Sequence, residues 1–417
     1  MKTTEDKTLN YNLLPGFHLL MIFIMFTVSF GQMQQIILSG LSFAKIGIPI
    51  LFLYIFSAKF YFFKINPVLF IYILFLTFST TSLVSGNDYL SILSNFLGYL
   101  LLFQVIYVYR KNIFKIRSLF MAYVSGLSVI CLLTLFSFFT GIDFGSVYAN
   151  QPMVDYWYGL PVFLGSSENP NGFATLLAIG LPMGFGLWLT SQRKMLSLFL
   201  LISLILFFVC LIMTFSRSGI VAGILGLIII DHHRKNNNTF SLKLFFKLVS
   251  LISIVILFSY LFYFIIELLT NDTSNQTSTS ISENKETSGN YRIMVLLPLM
   301  NLILDNFFFG VGYGNIPELM LQRVGLEINT HNIFFEVLLS FGIFCFIAFV
   351  SLLILSYRSM SQAIKISTSY EIRILISIAI ASLTALLFHG MFHAIHIHFM
   401  FWLMISISPV FYKNLKF

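Results

Sequence analysis

The sequence predicts an all-α, polytopic integral membrane protein with about twelve transmembrane helices. Of its 417 residues, 58% are hydrophobic and only 10% are charged, and the mean hydropathy is +0.90. A soluble domain carries roughly 25% charged residues. Long apolar runs also recur along the whole chain, so we expect a single integral membrane domain over residues 1–417.

Apolar windows of about 20 residues, the length that crosses a bilayer as a helix, define the spans. The first window follows Lys2 and Lys7, and no small-residue cleavage site comes after it, so we expect an uncleaved first span. The predicted spans are 17–39, 43–58, 66–85, 89–109, 117–140, 171–190, 195–213, 216–230, 244–269, 331–356, 372–390 and 394–412.

The basic residues set the orientation. With a cytoplasmic N-terminus, all but five of the 24 Lys and Arg residues fall on the cytoplasmic side. This bias predicts cytoplasmic termini and extracytoplasmic loops at about 141–170 and 270–330. The net charge of +8 is spread over loops that face anionic lipid, so we expect membrane lipids and no nucleic acid as partners. The five exceptions are Lys45, Arg217, Lys285, Arg292 and Arg323.

The loop at 270–330, between the ninth and tenth spans, begins with a Ser/Thr/Asn-rich segment typical of a flexible tether. An apolar segment at 291–310 follows, interrupted by Pro298 and Asp305. A crossing there would move the basic loop after the tenth span to the outside. We therefore predict an interfacial helix that lies on or dips into the outer face, with a thirteenth span as the alternative.

Arg217 interrupts the apolar run 211–230, and the topology places it at the outer end of a span. A guanidinium at the bilayer centre costs about 2.5–3.5 kcal/mol, which this outer position avoids. Arg217, Arg292 and Arg323 share the outer face, and arginine binds phosphate oxygens in a bidentate manner. The sequence therefore predicts a phosphate or diphosphate site. An arginine that binds lipid phosphate is the alternative.

His331 opens the predicted span 331–356, and Glu336 follows a little more than one turn later. Thr330 or Asn329 would cap this helix. A buried His–Glu pair at the water–lipid boundary would act as a general base or as a hydrogen-bond anchor. A capping histidine with an interfacial glutamate is the alternative.

Glu168, Asn169 and Asn171 surround the turn that opens the span 171–190. Their side chains suit either sugar binding or simple helix capping. The glycines of "GVGYGN", at 310–315, permit a tight turn and a close approach of backbone N–H groups to an anion.

His389 and His393 have a spacing that can bind zinc, but no carboxylate or cysteine is near them in sequence. Hydrogen bonds to backbone or lipid headgroups are therefore the favoured interpretation. The three cysteines lie inside apolar stretches and are interpreted as core residues.

Five segments over residues 160–350 resemble, in this order, the O-antigen ligase and O-antigen polymerase superfamily: "ENPNGFA", "TFSRSG", "NYRIMV", "GVGYGN" and "THNIFFEVLLSFGIFCF". The N-terminal third resembles the family only in being hydrophobic. The resemblance implies a glycosyltransferase similar to the GT-C class, located in the bacterial cytoplasmic membrane. Its active site would lie on the extracytoplasmic face and use sugars carried on undecaprenyl diphosphate.

The resemblance also implies that Arg217 and Arg292 bind the donor diphosphate and that His331 is the essential histidine near the acceptor, with no metal or other cofactor. The implied partners are a lipid-linked donor and acceptor, with a flippase and a chain-length regulator in an assembly machinery. We favour an inverting polymerase for capsule, exopolysaccharide or O-antigen, and a ligase onto lipid A core or protein is the alternative. A flippase is the rival from another class; the chain has no apparent half-repeats, and its titratable groups gather at one face, which favours an enzyme.

Overall fold

Apolar helices account for most of the described chain. The structure is a computed structural model that describes residues 15–30, 43–57, 67–83, 89–145, 152–157, 160–234, 297–325, 330–392 and 398–414. The helices are α1 (Pro15–Val28), α2 (Phe43–Ser57), α3 (Pro67–Leu83), α4 (Tyr89–Tyr107), α5 (Phe114–Thr140), α6 (Pro170–Leu189), α7 (Lys194–Met213), α8 (Arg217–Arg234), α9 (297–305), α10 (Ile316–Val324), α11 (Ile333–Ile366), α12 (Tyr370–Gly390) and α13 (Phe399–Asn414).

These helices overlap the predicted spans, although α1 ends at Val28 and α11 continues beyond residue 356 to Ile366. Every predicted span except 244–269 falls on a helix, and 244–269 lies outside the described residues. By length and composition, α5, α6, α7, α11 and α12 can each cross a membrane. The protein is therefore a mostly helical membrane protein.

The described chain is mostly helical, as predicted, but the segment before α6 forms a two-stranded antiparallel sheet that was not predicted. Strand β1 (Val154–Trp157) pairs with β2 (Leu160–Phe163), with Val154 opposite Phe163. Valine and aromatic residues favour strands, but a window sized for a membrane span does not detect so short a pattern. The Asp143 carboxylate accepts a hydrogen bond from the Met153 backbone N–H at 3.0 Å, which ties the sheet to the end of α5.

The two ends of the helix bundle gather different helix termini. At one end Arg117, near the start of α5, forms an ion pair with Glu371 at the start of α12. Arg117 also donates to the backbone oxygen of Thr190, which follows α6, at 3.1 Å. The starts of α6 and α8 and the end of α12 meet at the opposite end. This arrangement agrees with the predicted alternation of these spans, while the identity of the cytoplasmic face stays a prediction.

Helix α11 is kinked where the loop at 270–330, called the large loop below, packs against it. Gly342, inside α11, has a φ of 79° and a ψ of −179°, which is not helical. The turn at 306–312 follows α9 and makes three backbone hydrogen bonds to this kink. We call these the kink pairing: Val311 N to Leu339 O at 2.8 Å, Gly312 N to Ser340 O at 3.1 Å, and Ile343 N to Phe307 O at 2.9 Å.

The kink pairing lies well inside the length of α11. Leu339 is about 9 Å along the helix axis from the first residue, Ile333, at the usual rise per residue. The apolar side chains of α9 and α10 also pack on Leu339. The position of 291–310 relative to the membrane stays a prediction, and residues 291–296 lie outside the described part of the chain.

Candidate active site

One end of the bundle brings three helix N-termini around the C-terminus of α12. Helices α6, α8 and α11 begin at Pro170, Arg217 and Ile333, and α12 ends at Gly390. The first N–H groups of a helix have no partner within it, and the macrodipole places about half a positive charge there. Such a group of helix ends attracts anions. We call the residues that connect them the helix-end cluster: Asn171, Ser216, Ser218, Asn332 and His389.

Each of the three N-termini is capped by a side chain. The Asn169 side-chain oxygen accepts from Gly172 N at 2.8 Å, and the Ser216 hydroxyl accepts from Gly219 N at 3.4 Å. Asn332 accepts from the N–H groups of the second and third residues of α11, at 2.9 and 3.2 Å. These bonds hold the first turns of three helices in defined positions.

Asn332, rather than the expected Thr330 or Asn329, caps α11. Asn332 lies directly before the first helical residue and has the extended backbone of an N-cap, with φ −143° and ψ 121°. The Thr330 hydroxyl instead donates to Glu336, and Asn329 lies outside the described residues.

A short hydrogen-bond network joins the caps to α12. Ser216 donates to the side-chain oxygen of Asn171 at 2.8 Å. His389, which is fully buried, places Nδ1 3.0 Å from the Ser218 hydroxyl and Nε2 3.1 Å from the backbone oxygen of Asn171. A carbonyl oxygen can only accept, so Nε2 carries the proton, and in the neutral imidazole Nδ1 accepts from Ser218.

The start of α11 joins the same network. The Asn332 amide donates to the backbone oxygen of Met391, just beyond the end of α12, at 3.1 Å. His389 is two residues before Met391, so α11 reaches the end of α12 beside the buried imidazole. The expectation that His389 bonds to backbone is confirmed, and its proposed zinc partner His393 lies outside the described residues.

Arg217 is the first residue of α8, and its side chain is exposed at this end of the bundle. No hydrogen bond or ion pair joins it to another residue in the described part of the chain. The helix dipole opposes a cation at an N-terminus, so α8 itself does not stabilise this charge. A bound anion would interact favourably with both the guanidinium and the helix ends.

His331 lies two residues before α11 and is exposed, with an uncommon left-handed φ of 48°. Such a backbone conformation is retained where the surroundings fix it, often at functional sites. Glu336, by contrast, is buried and accepts the Thr330 hydroxyl. The expected pair is therefore not buried as a whole: its carboxylate lies inside the bundle and its imidazole at the surface.

Arg323 and Arg292, the other predicted arginines, are in the large loop. Arg323, in the last turn of α10, forms an ion pair with Asp305 at 2.6 Å. Both side chains are well exposed, so this pair contributes little to stability and can exchange for another anion. Arg292 lies outside the described residues, so its predicted proximity to Arg217 stays a prediction.

The "GVGYGN" turn is tight, as expected, but its first amides are already paired. Gly310, Gly312 and Gly314 have φ values of 72°, 87° and 87°. The N–H of Gly310 bonds to Asn306 O at 2.8 Å, and the next two amides take part in the kink pairing. The expected anion approach is therefore not supported for residues 310–312.

Glu168 and Asn169 are exposed, and Asn171 is half-buried. The structure thus brings Asn169, Asn171, Arg217 and the start of α11 to one end of the bundle. Among the described residues, no three His, Cys, Asp or Glu side chains converge as metal ligands. The sequence did not predict Ser216, Ser218, Asn332 or His389 as part of the site. Only the two serines that flank Arg217 in "FSRSG" could have been inferred from their position in the sequence.

Comparison with known families gives one match. Residues 202–350 match a family described as O-Antigen ligase, and this segment includes α8, the large loop and the first half of α11. The match supports the resemblance inferred from the short motifs. No curated protein matches the chain.

Proposed function

We propose that the chain, which belongs to the O-antigen ligase and polymerase superfamily, joins oligosaccharide units carried on undecaprenyl diphosphate into a polysaccharide. The reaction would take place at the extracytoplasmic face of a bacterial cytoplasmic membrane. One observation carries the proposal: exposed Arg217 lies where three capped helix N-termini meet. A ligase that transfers the glycan to lipid A core or to protein is the alternative within this superfamily.

The diphosphate of the donor suits this end of the bundle. A guanidinium presents two parallel N–H groups to phosphate oxygens, and the helix ends add partial positive charge. Charge grows on the diphosphate as the sugar departs, so groups fixed around it stabilise the transition state more than the bound donor. We assign this role to Arg217, with Arg292 as its expected second arginine.

His331 is assigned to the acceptor. The acceptor hydroxyl oxygen attacks the anomeric carbon, its proton passes to the imidazole, and the bond from that carbon to the diphosphate oxygen breaks. The diphosphate leaves with the electron pair, so one direct displacement inverts the anomeric configuration. A positioned base contributes typically about 10²–10⁴ in rate. The His331 side chain is exposed directly before α11, on the surface that a sugar hydroxyl would approach.

The remaining predicted residues receive supporting roles. Glu168 is exposed beside the start of α6, where it can bind sugar hydroxyls; Asn169 is also exposed, and because its oxygen caps Gly172 N, it would bind sugar through its amide N–H groups. The Asn171 side-chain oxygen already accepts from Ser216, so its primary role is in the frame of the site. Buried Glu336 accepts a hydrogen bond from Thr330, the residue directly before His331, and so fixes the chain at that point. Arg323 would contact substrate only after releasing Asp305.

The test is reconstitution of the purified protein with a defined undecaprenyl-diphosphate oligosaccharide. We expect a ladder of longer products with inverted new linkages, and loss of the ladder in Arg217→Ala. Transfer only when lipid A core or an acceptor protein is added would identify the ligase. Movement of the donor across the bilayer without new linkages would identify a flippase, and retained configuration would contradict direct displacement.

A further inference from the structure

His389 occupies the centre of the helix-end cluster without being exposed to any ligand. We propose that His389 is a positioning residue: it fixes the first turn of α8 and thereby orients the Arg217 guanidinium toward the bound anion. The identity of that anion as a lipid diphosphate rests on the proposed function. The positioning itself rests only on contacts within this chain.

One imidazole joins three helices. His389 is in the last turn of α12, its Nδ1 contacts Ser218 of α8 at 3.0 Å, and its Nε2 contacts the backbone of Asn171 in α6 at 3.1 Å. Ser218 is adjacent to Arg217 in the chain. The bond from Ser216 to Asn171 fixes the other side of Arg217. Arg217 therefore lies between two serines, of which Ser216 bonds directly to the start of α6 and Ser218 is connected to it through His389.

Packing places α8 directly against α6 just below these bonds. A Cβ added to Gly219 would lie 2.7 Å from the Ala174 Cβ, and one added to Gly223 would lie 2.8 Å from a Leu181 methyl group. Small residues at these positions let the two helices approach closely. Gly219 is in the first turn, so this contact fixes α8 from Gly219 onward, whereas Arg217 and Ser218 before it depend on the serine and histidine contacts.

The orientation of Arg217 matters because bidentate binding of a phosphate group requires the guanidinium plane to face its oxygens. Displacing a catalytic group by about 1 Å can cost about 10²-fold in rate. A fully buried imidazole cannot touch substrate, so its effect on the reaction passes through Ser218 and Arg217. That dependence separates His389 from a residue that only stabilises the fold.

The experiment uses the full-length protein in lipid nanodiscs, with undecaprenyl diphosphate as the probe. Affinity is measured by titration, and hydrogen exchange is followed in peptides that cover residues 214–220. We expect His389→Ala to weaken binding about tenfold, which corresponds to about 1.4 kcal/mol, and to speed exchange in that segment. The matched control is Thr384→Val on α12, which removes a half-buried 2.8 Å bond to Tyr357 away from the site. It should leave the affinity unchanged.

A double-mutant cycle separates positioning from general stability. If His389 acts through Arg217, then His389→Ala should change the affinity less than about twofold once Arg217 is already alanine. Additive losses, or exchange at 214–220 equal to wild type in His389→Ala, would overturn the inference. Failure of the wild type to bind the lipid diphosphate, with faster exchange still seen in His389→Ala, would reject the proposed ligand and leave the positioning role intact.

Conservative variants keep the test decisive if the alanine variant does not fold. His389→Asn places an amide oxygen near the position of Nδ1, so it can keep the bond to Ser218. His389→Gln places an amide N–H near the position of Nε2, so it can keep only the bond to the Asn171 carbonyl. We expect the asparagine variant to bind the diphosphate more tightly than the glutamine variant, and the reverse order would contradict the assigned path through Ser218.

Discussion

Gly342→Ala tests whether the large loop is attached to α11 by the kink pairing. Gly342 has a backbone conformation that is essentially restricted to glycine, with φ 79° and ψ −179°. A Cβ at this position would lie 2.1 Å from the backbone oxygen of Phe308. Because the nearest atoms, in Phe308 and Phe309, all belong to the backbone, no side-chain movement can relieve the clash. The turn at 306–312 would have to leave the kink.

The cost follows from the strain and the lost bonds. The unfavourable backbone conformation costs about 1–3 kcal/mol, and each of the three backbone bonds contributes about 0.5–1.5 kcal/mol. The loop contact should therefore weaken by roughly 2.5–7.5 kcal/mol. If exchange follows local opening, the amides of Val311, Gly312 and Ile343 should exchange about 10²–10⁵ times faster, or up to the fully open rate.

Two other glycines in the chain provide matched controls. Gly325 has a φ of 72°, and a Cβ added there would meet no atom within 4 Å, so Gly325→Ala tests backbone strain without a clash. Gly98, inside α4, has neither strain nor a close neighbour, and alanine there should be neutral or stabilising by about 0.5–1 kcal/mol. Hydrogen exchange and melting temperature are compared in detergent for all three variants. Equal exchange of 306–312 in Gly342→Ala and Gly98→Ala would refute the attachment.

Four further substitutions test the site and the opposite end of the bundle. Arg217→Lys should lose most transfer activity because an ammonium group cannot reproduce the bidentate hydrogen bonds of a guanidinium. Arg323→Lys should have a milder effect because Arg323 already pairs with Asp305. Wild-type turnover with lysine at position 217 would identify Arg217 as a lipid anchor instead. His331→Ala should lower kcat by about 10²–10⁴ at unchanged melting temperature and donor affinity, and full polymerisation by this variant would reject its role. Glu371→Ala, at the opposite end of the bundle, should lower the melting temperature without changing donor affinity, and a loss of affinity would mean that the two ends are coupled.

The helices could be predicted from the sequence because a membrane helix is defined by local composition over about 20 residues. The boundaries of the span predicted at 171–190 differ from α6 by one residue at each end. The strands at 154–163 were not predicted, because four-residue elements leave no signal in windows of that length. The kink at Gly342 also escaped, since glycine within an apolar run is common in membrane helices and its partner is in a distant loop.

The site was predictable only in its exposed residues. Arg217 and His331 stood out because a charged or polar side chain is conspicuous next to an apolar run. The hydrogen-bond partners of His389 are Ser218 and Asn171, which lie 171 and 218 residues before it in the chain, so no local pattern could reveal them. The capping role of Asn332 was not predicted because Asn329, Thr330 and Asn332 are all suitable capping residues in the sequence, and the backbone geometry is needed to identify the cap.

The segment that matches the family does not build this site alone. Residues 202–350 include Arg217, Ser216 and Asn332, but the side chains of Ser216 and Asn332 donate to Asn171 in α6 and to Met391 just beyond α12, on either side of that segment. A buried hydroxyl or amide that loses its partner costs about 1–3 kcal/mol, so the first turns of α8 and α11 depend on helices outside the matched region. Substitutions in α6 or α12 can therefore change the chemistry of the matched segment without touching it. The candidate site thus lies at the end of the helix bundle, where distant parts of the chain meet around one exposed arginine.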